Sequence, residues 1–203
     1  MQYFRIQAAE AASPLWHQIA TLHIAAIKGG ILERIGVRAL ARLYRVLAAS
    51  HDNVLIVAQE RDKVVGFVSG CLDVGAVIKK LMLSPVFMLL IVASPGFWQS
   101  LGMALKALAY PQNVSKVEVG ISHTMPELFS IAVRQEWRGH KIGTRLVEEL
   151  EQWFRAKNIA TYRVSTDASD VRANAFYQKT GGIFVASLRH HAMRLNTYHK
   201  LVP

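Results

Sequence analysis

The run Arg138-Gly139-His140-Lys141-Ile142-Gly143 combines residue types and spacing that could hold an anion. Two glycines border a basic turn. Before it, Leu128 to Val133 is a short apolar run with β-branched residues, the pattern of a buried strand. After it, Ile142, Leu146, Val147, Leu150, Trp153 and Phe154 recur at the spacing of one helix face. A strand, a tight turn and a helix leave several backbone N–H groups unpaired at the helix start, and the helix dipole favours negative charge there. The turn therefore suits a phosphate or diphosphate, and Arg138, His140 and Lys141 add positive charge at the same place. A glycine turn also serves geometry alone, so the run by itself leaves both readings open.

Other chemistry-bearing residues are sparse. No Cys/His grouping has metal-ligand spacing, and His190-His191 reads as a solvated loop pair. Cys71 is the one cysteine. It sits in an apolar stretch and reads as a small core residue; no internal disulfide can form, and a reducing cytoplasm is the simplest compartment.

Arg138 to Gly143 resembles the acyl-CoA pyrophosphate loop of the GNAT superfamily of N-acetyltransferases, Arg/Gln-x-x-Gly-x-Gly/Ala. Lys141 replaces the middle glycine, which is tolerable where φ stays negative and strained where the backbone is left-handed. A second block, Asp170-Val-Arg-Ala-Asn-Ala-Phe-Tyr-Gln-Lys-Thr-Gly-Gly, resembles the family's Asn-x-x-Ala-x-x-Phe/Leu-Tyr-x-x-x-Gly-Phe signature, with Asp170 for Asn and Gly182 for Phe. The resemblance is good over about 54–72 and from 127 onward, and poor over 74–119. It implies an α/β (α+β) fold: a mixed, mostly antiparallel sheet flanked by helices, with a helical insertion between the third and fourth strands.

The resemblance also implies the chemistry. An acetyl group would pass from acetyl-CoA directly to a primary amine of a small molecule, an amino sugar or a peptide. The pantetheine arm would lie along backbone groups of Ile131, Ala132 and Val133, and the diphosphate on the amides of Gly139, His140, Lys141, Ile142, Gly143 and Thr144, with Arg138 nearby. Tyr177 matches the tyrosine that protonates the leaving thiolate, a core aromatic being the alternative. Asn174, one turn earlier on the same helix, would bind CoA. Glu127 stands where the family often places the carboxylate that takes the amine proton; His123 and Glu118 are weaker candidates. A CoA-binding or partner-binding module without turnover is the second reading. The first half (Leu22-His-Ile-Ala-Ala-Ile and Leu40-Ala-Arg-Leu-Tyr-Arg) resembles bacterial members found among surface-polysaccharide enzymes, which makes an amino sugar worth testing.

The elements that must position these groups are legible along the chain. Tyr3 to Gln7 alternates as a first strand. Ser13-Pro14 starts a helix lined by Leu15, Ile19, Leu22 and Ile27, and Lys28-Gly29-Gly30 ends it. A second helix over 36–49 turns Val37, Leu40, Leu43, Tyr44 and Leu47 inward and Arg34, Arg38, Arg42 and Arg45 outward. Val54 to Glu60 and Val64 to Leu72 form a hairpin about Arg61-Asp62-Lys63. Strands over 160–166, 183–188 and about 192–201, and a helix opening at Asp167-Ala-Ser-Asp, complete the domain. The insertion at about 74–110 is apolar and basic, with breaks at Ser84-Pro85 and Ser94-Pro95 and an end at Tyr110-Pro111-Gln112-Asn113. Three readings of it stay open: helices packed on the domain, a homodimer contact, or an interfacial membrane segment with Lys79, Lys80 and Lys106 near head groups.

A chain of 203 residues, 52 % hydrophobic and 19 % charged, suits one globular domain over 1–203. Its net charge of +10 would attract polyanions. The interleaved surface aromatics that stack bases are missing, which argues against nucleic acid. No signal peptide is visible, and the longest apolar run, Pro85 to Ala93, is much shorter than the roughly 20 residues of a membrane span.

Overall fold

The structure is a computed structural model that describes residues 1–6, 13–27, 32, 35–94, 98, 125–190 and 193–203. The stop at Lys28-Gly29-Gly30, Arg34, the helix expected up to Ala109, Lys106, Tyr110 to Asn113, Glu118, His123 and His191 lie outside the described residues.

Among the described residues, seven strands form one sheet: β1 (Gln2–Arg5), β2 (Asn53–Glu60), β3 (Lys63–Cys71), β4 (Glu127–Val133), β5 (Thr161–Asp167), β6 (Ile183–His190) and β7 (Met193–Leu201). Their spatial order is β1-β2-β3-β4-β5-β7-β6. Every neighbouring pair is antiparallel except β4–β5. The sheet is thus mixed and mostly antiparallel, as the resemblance implied. β2 and β3 are apolar on both faces because both faces are covered.

Helices α1 (Ser13–Ala26), α2 (Gly36–Ala48), α3 (Val74–Met82) and α4 (Pro85–Val92) cover one face. Trp16, Ile19, Ala20 and His23 of α1, and Leu40, Leu43, Tyr44 and Leu47 of α2, are all buried there at helical spacing. The insertion packs on the domain through Val77, Leu81, Phe87 and Ile91. Asp73 and Ser84 cap its two helices by accepting from Ala76 N (3.0 Å) and Phe87 N (3.4 Å). The two are bent by 81° at their break, and no single helix among the described residues is long and apolar enough to cross a membrane. Ile78, Met82, Leu83, Val86 and Leu89 remain exposed on their outer side.

The other face is covered by α5 (Ile142–Ala156) and α6 (Val171–Lys179). The residues read from the sequence as the inner face of α5, Ile142, Leu146, Val147, Leu150, Trp153 and Phe154, are all buried. Gly70 of β3 makes this packing possible. A Cβ there would lie 2.5 Å from Leu150 Cδ1, so any other residue would oblige the Leu150 side chain to move.

Candidate active site

The site begins where two strands part. β4 and β5 are paired only at Glu127↔Arg163 and Leu128↔Val164. Beyond Leu128, β4 stays with β3 as far as Val133, while β5 stays with β7 as far as Asp167. The β4 ladder is irregular at the same point: Ser69 faces Ser130, Gly70 faces Leu128, and Phe129 is the extra residue of a bulge. From Phe129 to Val133, one edge of β4 therefore faces a gap that no strand among the described residues fills. The gap is a cleft of about 1090 Å³.

At the mouth of the cleft, β4 leads through a 3₁₀ turn (Gln135–Trp137) into the glycine-bordered run. Gly139 has φ +83°, and no atom lies within 4 Å of where its Cβ would be, so its conformation alone calls for glycine. Lys141 also adopts a left-handed conformation (φ 59°, ψ 11°) and immediately precedes the first residue of α5. The lysine in place of the family's glycine is thus a strained residue, at roughly 1–2 kcal/mol. Gly143 differs: a Cβ would meet the Phe176 ring at 3.5 Å, an ordinary contact, which agrees with a pattern that admits glycine or alanine. Among the described residues, the amides of Gly139 through Thr144 donate to no backbone or side-chain acceptor. Arg138 Nε donates to the Val133 carbonyl (3.3 Å), and His140 Nδ1 donates to the Arg138 carbonyl (3.1 Å). Ile131, Ala132, Val133, Arg138, Gly139, Lys141, Ile142, Gly143 and Thr144 all line the cleft, whereas His140 stands beside it.

Tyr177 lines the same cleft from α6 and is 5 % exposed. Its hydroxyl bonds to no protein group among the described residues. Burial, aided by the Asp170 carboxylate, holds its pKa above that of an ordinary phenol. Asp170 caps α6 by accepting from Ala173 N at 3.0 Å. Asn174 directs every hydrogen-bonding position of its amide into the protein. Nδ2 donates to the carbonyls of Asp167 (2.8 Å) and Asp170 (2.6 Å), and Oδ1 accepts from Asn196 Nδ2 and the Tyr198 hydroxyl, both at 2.8 Å. It ties α6 to β5 and β7 and has no polar atom left for a ligand.

Glu127 is the first residue of β4 and sits at the closed end of the parting strands. Its Oε2 accepts from Arg163 Nε (3.2 Å) and Nη2 (2.5 Å), and it is not among the residues lining the cleft.

Two buried polar groups in the cleft wall were not singled out in the sequence. On the α5 side, Glu151 Oε1 accepts from the Tyr162 hydroxyl (2.7 Å) and meets Lys200 Nζ at 3.0 Å. On the α1 side, His23 Nδ1 lies 2.6 Å from the Tyr44 hydroxyl, which lies 2.8 Å from Ser130 Oγ, itself 2.8 Å from Ser69 Oγ. Periodicity was the available signal: Trp16, Ile19, Ala20 and His23 share one apolar stripe, so His23 had to be buried.

The comparisons agree with this geometry. The Acetyltransferase (GNAT) family model matches residues 36–182. No curated protein sequence matches the chain. Among solved structures, an aminoglycoside 6'-N-acetyltransferase complexed with coenzyme A superposes with a TM-score of 0.61 at 14 % identity, covering 100 % of this chain and 98 % of that one. The aminoglycoside 6'-N-acetyltransferase from Enterococcus faecium gives 0.61 at 16 % identity, with 100 % and 98 % covered. The ribosomal-protein-S18-alanine N-acetyltransferase from Escherichia coli gives 0.58 at 12 % identity, with 99 % and 93 % covered. At such identities the structural likeness speaks for the fold, and the family model speaks for descent. With its strands parted at a β4 bulge and a basic glycine turn opening α5, the chain belongs to the GNAT acetyltransferase family.

Proposed function

We propose that the protein is an acetyl-CoA-dependent N-acetyltransferase that moves the acetyl group to a primary amine in one direct step. The observation that carries this is the run of amides from Gly139 to Thr144, unbonded among the described residues, at the end of the gap between β4 and β5. Amides at a helix start favour a diphosphate, and an open strand edge offers the hydrogen bonds an extended amide-containing arm needs. Acetyl-CoA has both parts in that order and supplies an activated thioester. Lys141 and Arg138 add charge where the diphosphate would sit.

In this reading Tyr177, on the cleft wall, donates a hydrogen bond to the leaving sulfur. Its raised pKa keeps the hydroxyl protonated, so it is a donor throughout the neutral range. A thiol is the stronger acid, near 8.5 against about 10 for a free phenol. Hydrogen-bond stabilisation of the departing thiolate is therefore the main role, and complete transfer runs uphill. Asn174 positions the helix that carries Tyr177.

The acceptor is an amine on a small molecule, an amino sugar or a peptide; the structural neighbours named for their acceptors act on aminoglycosides and on a ribosomal-protein alanine. A CoA-binding module without turnover is the second reading, favoured by Glu127 being tied to Arg163 outside the cleft. Calorimetry with acetyl-CoA, followed by CoA-thiol release with glucosamine, kanamycin, spermidine and a dipeptide amine, separates the two. Binding with release supports the enzyme, binding without release supports the module, and no binding removes both.

A further inference from the structure

The charge of the molecule is divided between the two faces of the sheet. The four helices on one face, α1 to α4, contain no aspartate or glutamate. Helix α5 on the other face carries Glu148, Glu149 and Glu151. The acid-free helices leave their cations unneutralised. Arg38 and Arg45 on α2, and Lys79 and Lys80 in the last turn of α3, are exposed, and none forms an ion pair among the described residues.

The same face carries apolar surface that the core does not use. Val77, Leu81, Phe87 and Ile91 hold α3 and α4 on the domain. The outer side of the two helices turns Ile78, Met82, Leu83, Val86 and Leu89 to solvent, and Leu83, at the bend, is 74 % exposed. Exposed apolar side chains gathered in this way mark a contact surface. With its 81° bend the pair is a blunt wedge, apolar at the tip, with two lysines about one turn before it. Four residues packed in the core keep the wedge on the surface of the domain, so its contact is interfacial and does not cross a bilayer.

Three covers fit such a wedge: a second copy, another stretch of this chain, or a lipid surface. Charge separates them. A second copy would set one basic, acid-free face against another. The stretch 95–124 carries Lys106 and Lys116 against Glu118, so it brings no acidic complement. A bilayer with anionic head groups supplies both parts, acyl chains for the apolar tip and phosphates for the cations. Lysine stems lie along apolar surface while their ammonium groups stay at head-group level. The net charge of +10 adds a long-range pull in the same direction.

We propose that the α3–α4 wedge seats the protein on the surface of an anionic membrane. Leu83, Val86 and Leu89 dip into the interface, Lys79 and Lys80 meet head-group phosphates, and Arg38 and Arg45 add attraction from α2. This binding needs neither acetyl-CoA nor an acceptor, so it stands or falls apart from the transferase reading.

The test uses the full chain and vesicles of phosphatidylcholine, alone or mixed with phosphatidylglycerol, with binding read by co-sedimentation. The expected result is binding to the mixed vesicles that added salt weakens, and little binding to phosphatidylcholine alone. Lys79→Gln/Lys80→Gln lowers the partition coefficient about 30-fold. Leu83→Asp/Leu89→Asp abolishes binding with the thermal melt unchanged; if that variant does not fold, Leu83→Ser/Leu89→Ser takes its place. In a Cys71→Ala chain, a polarity-sensitive fluorophore on Leu83→Cys shifts to the blue with the mixed vesicles, whereas one on Val171→Cys, on α6 across the sheet, does not. No binding, equal binding to both kinds of vesicle, or binding that both double variants leave intact overturns the proposal. A dimer in sedimentation equilibrium that Leu83→Asp/Leu89→Asp splits also overturns it and gives the face to a second copy. A fluorophore at Leu83→Cys that is already shielded without lipid, and unmoved by it, overturns it and gives the face to residues 95–124.

Discussion

Lys200 Nζ lies 3.0 Å from Glu151 Oε1, with the two side chains 3 % and 11 % exposed. Breaking such a pair strands one charge in the interior. Lys200→Met and Glu151→Gln should each destabilise the fold by about 3–5 kcal/mol, and the double variant Lys200→Met/Glu151→Gln by less than the sum. Urea unfolding of the three variants measures this; additive losses would show the two charges to be independent.

Lys141 stores strain beside the cleft. Lys141→Gly should raise stability by up to about 1 kcal/mol, the relief of the left-handed conformation less the extra chain entropy of glycine. It should also weaken acetyl-CoA binding and flatten the salt dependence of its Kd, since one cation leaves the diphosphate site. Thermal melts and calorimetry at two salt concentrations report the two effects separately. Tighter binding by the glycine variant would show that the side chain obstructs the site.

Gly70→Ala places a methyl 2.5 Å from Leu150 Cδ1, tighter than packed atoms tolerate. A loss of about 1–3 kcal/mol is expected. Leu150→Ala should lose less stability in the Gly70→Ala background than in the wild type. A denaturation double-mutant cycle with no coupling would place α5 further from β3 than the structure has it.

Tyr177→Phe should cut turnover by roughly 100-fold while leaving the acetyl-CoA Kd in place. The raised pKa means that the phenol is still protonated at pH 10.0, its ordinary value, so no alkaline loss of rate should trace to Tyr177 below that pH. A Tyr177-dependent fall between pH 8 and 9 would contradict the burial of its hydroxyl.

Burial raises the pKa of Tyr44, Tyr162 and Tyr177, and raises the Cys71 thiol from 9.0 to about 12. For a raised pKa the folded state holds its proton longer than the unfolded state. The stabilisation is whole below the unfolded value and is lost as pH climbs towards the folded one. Stability should therefore start to fall above pH 9, as the unfolded thiol ionises, and fall more steeply beyond pH 10 as the unfolded phenols follow. Urea midpoints from pH 7 to 11 test the order, and Cys71→Ala should remove the first part of the decline.

The legible part of the molecule was the part governed by local pattern. The six inner residues of α5, four of the five read for α2 (Leu40, Leu43, Tyr44 and Leu47) and the cap at Ser84 follow from periodicity and turn chemistry and are found as read; Val37 is only half-buried, and Ala39 is buried instead. The glycine turn was readable as an anion site, but the handedness of Lys141 was not, because φ depends on how the 3₁₀ turn delivers the chain. Polar residues on apolar stripes were harder. His23, Tyr44 and Ser130 are far apart in sequence, and their union depends on α1, α2 and β4 packing together. The same holds for Asn174, whose amide looks available on one helix and is taken up by Asn196 and Tyr198 once β7 lies beside it.

Because β4 and β5 share only two residue pairs, the sheet is two panels hinged on a short seam, with Arg163 and Glu127 as its rivet. A guest lying along the opening would act as the missing slat, knitting the panels into one. Amide protons on the facing edges of both panels should then exchange far more slowly with solvent, so that occupancy stiffens the scaffold along the line where it is weakest.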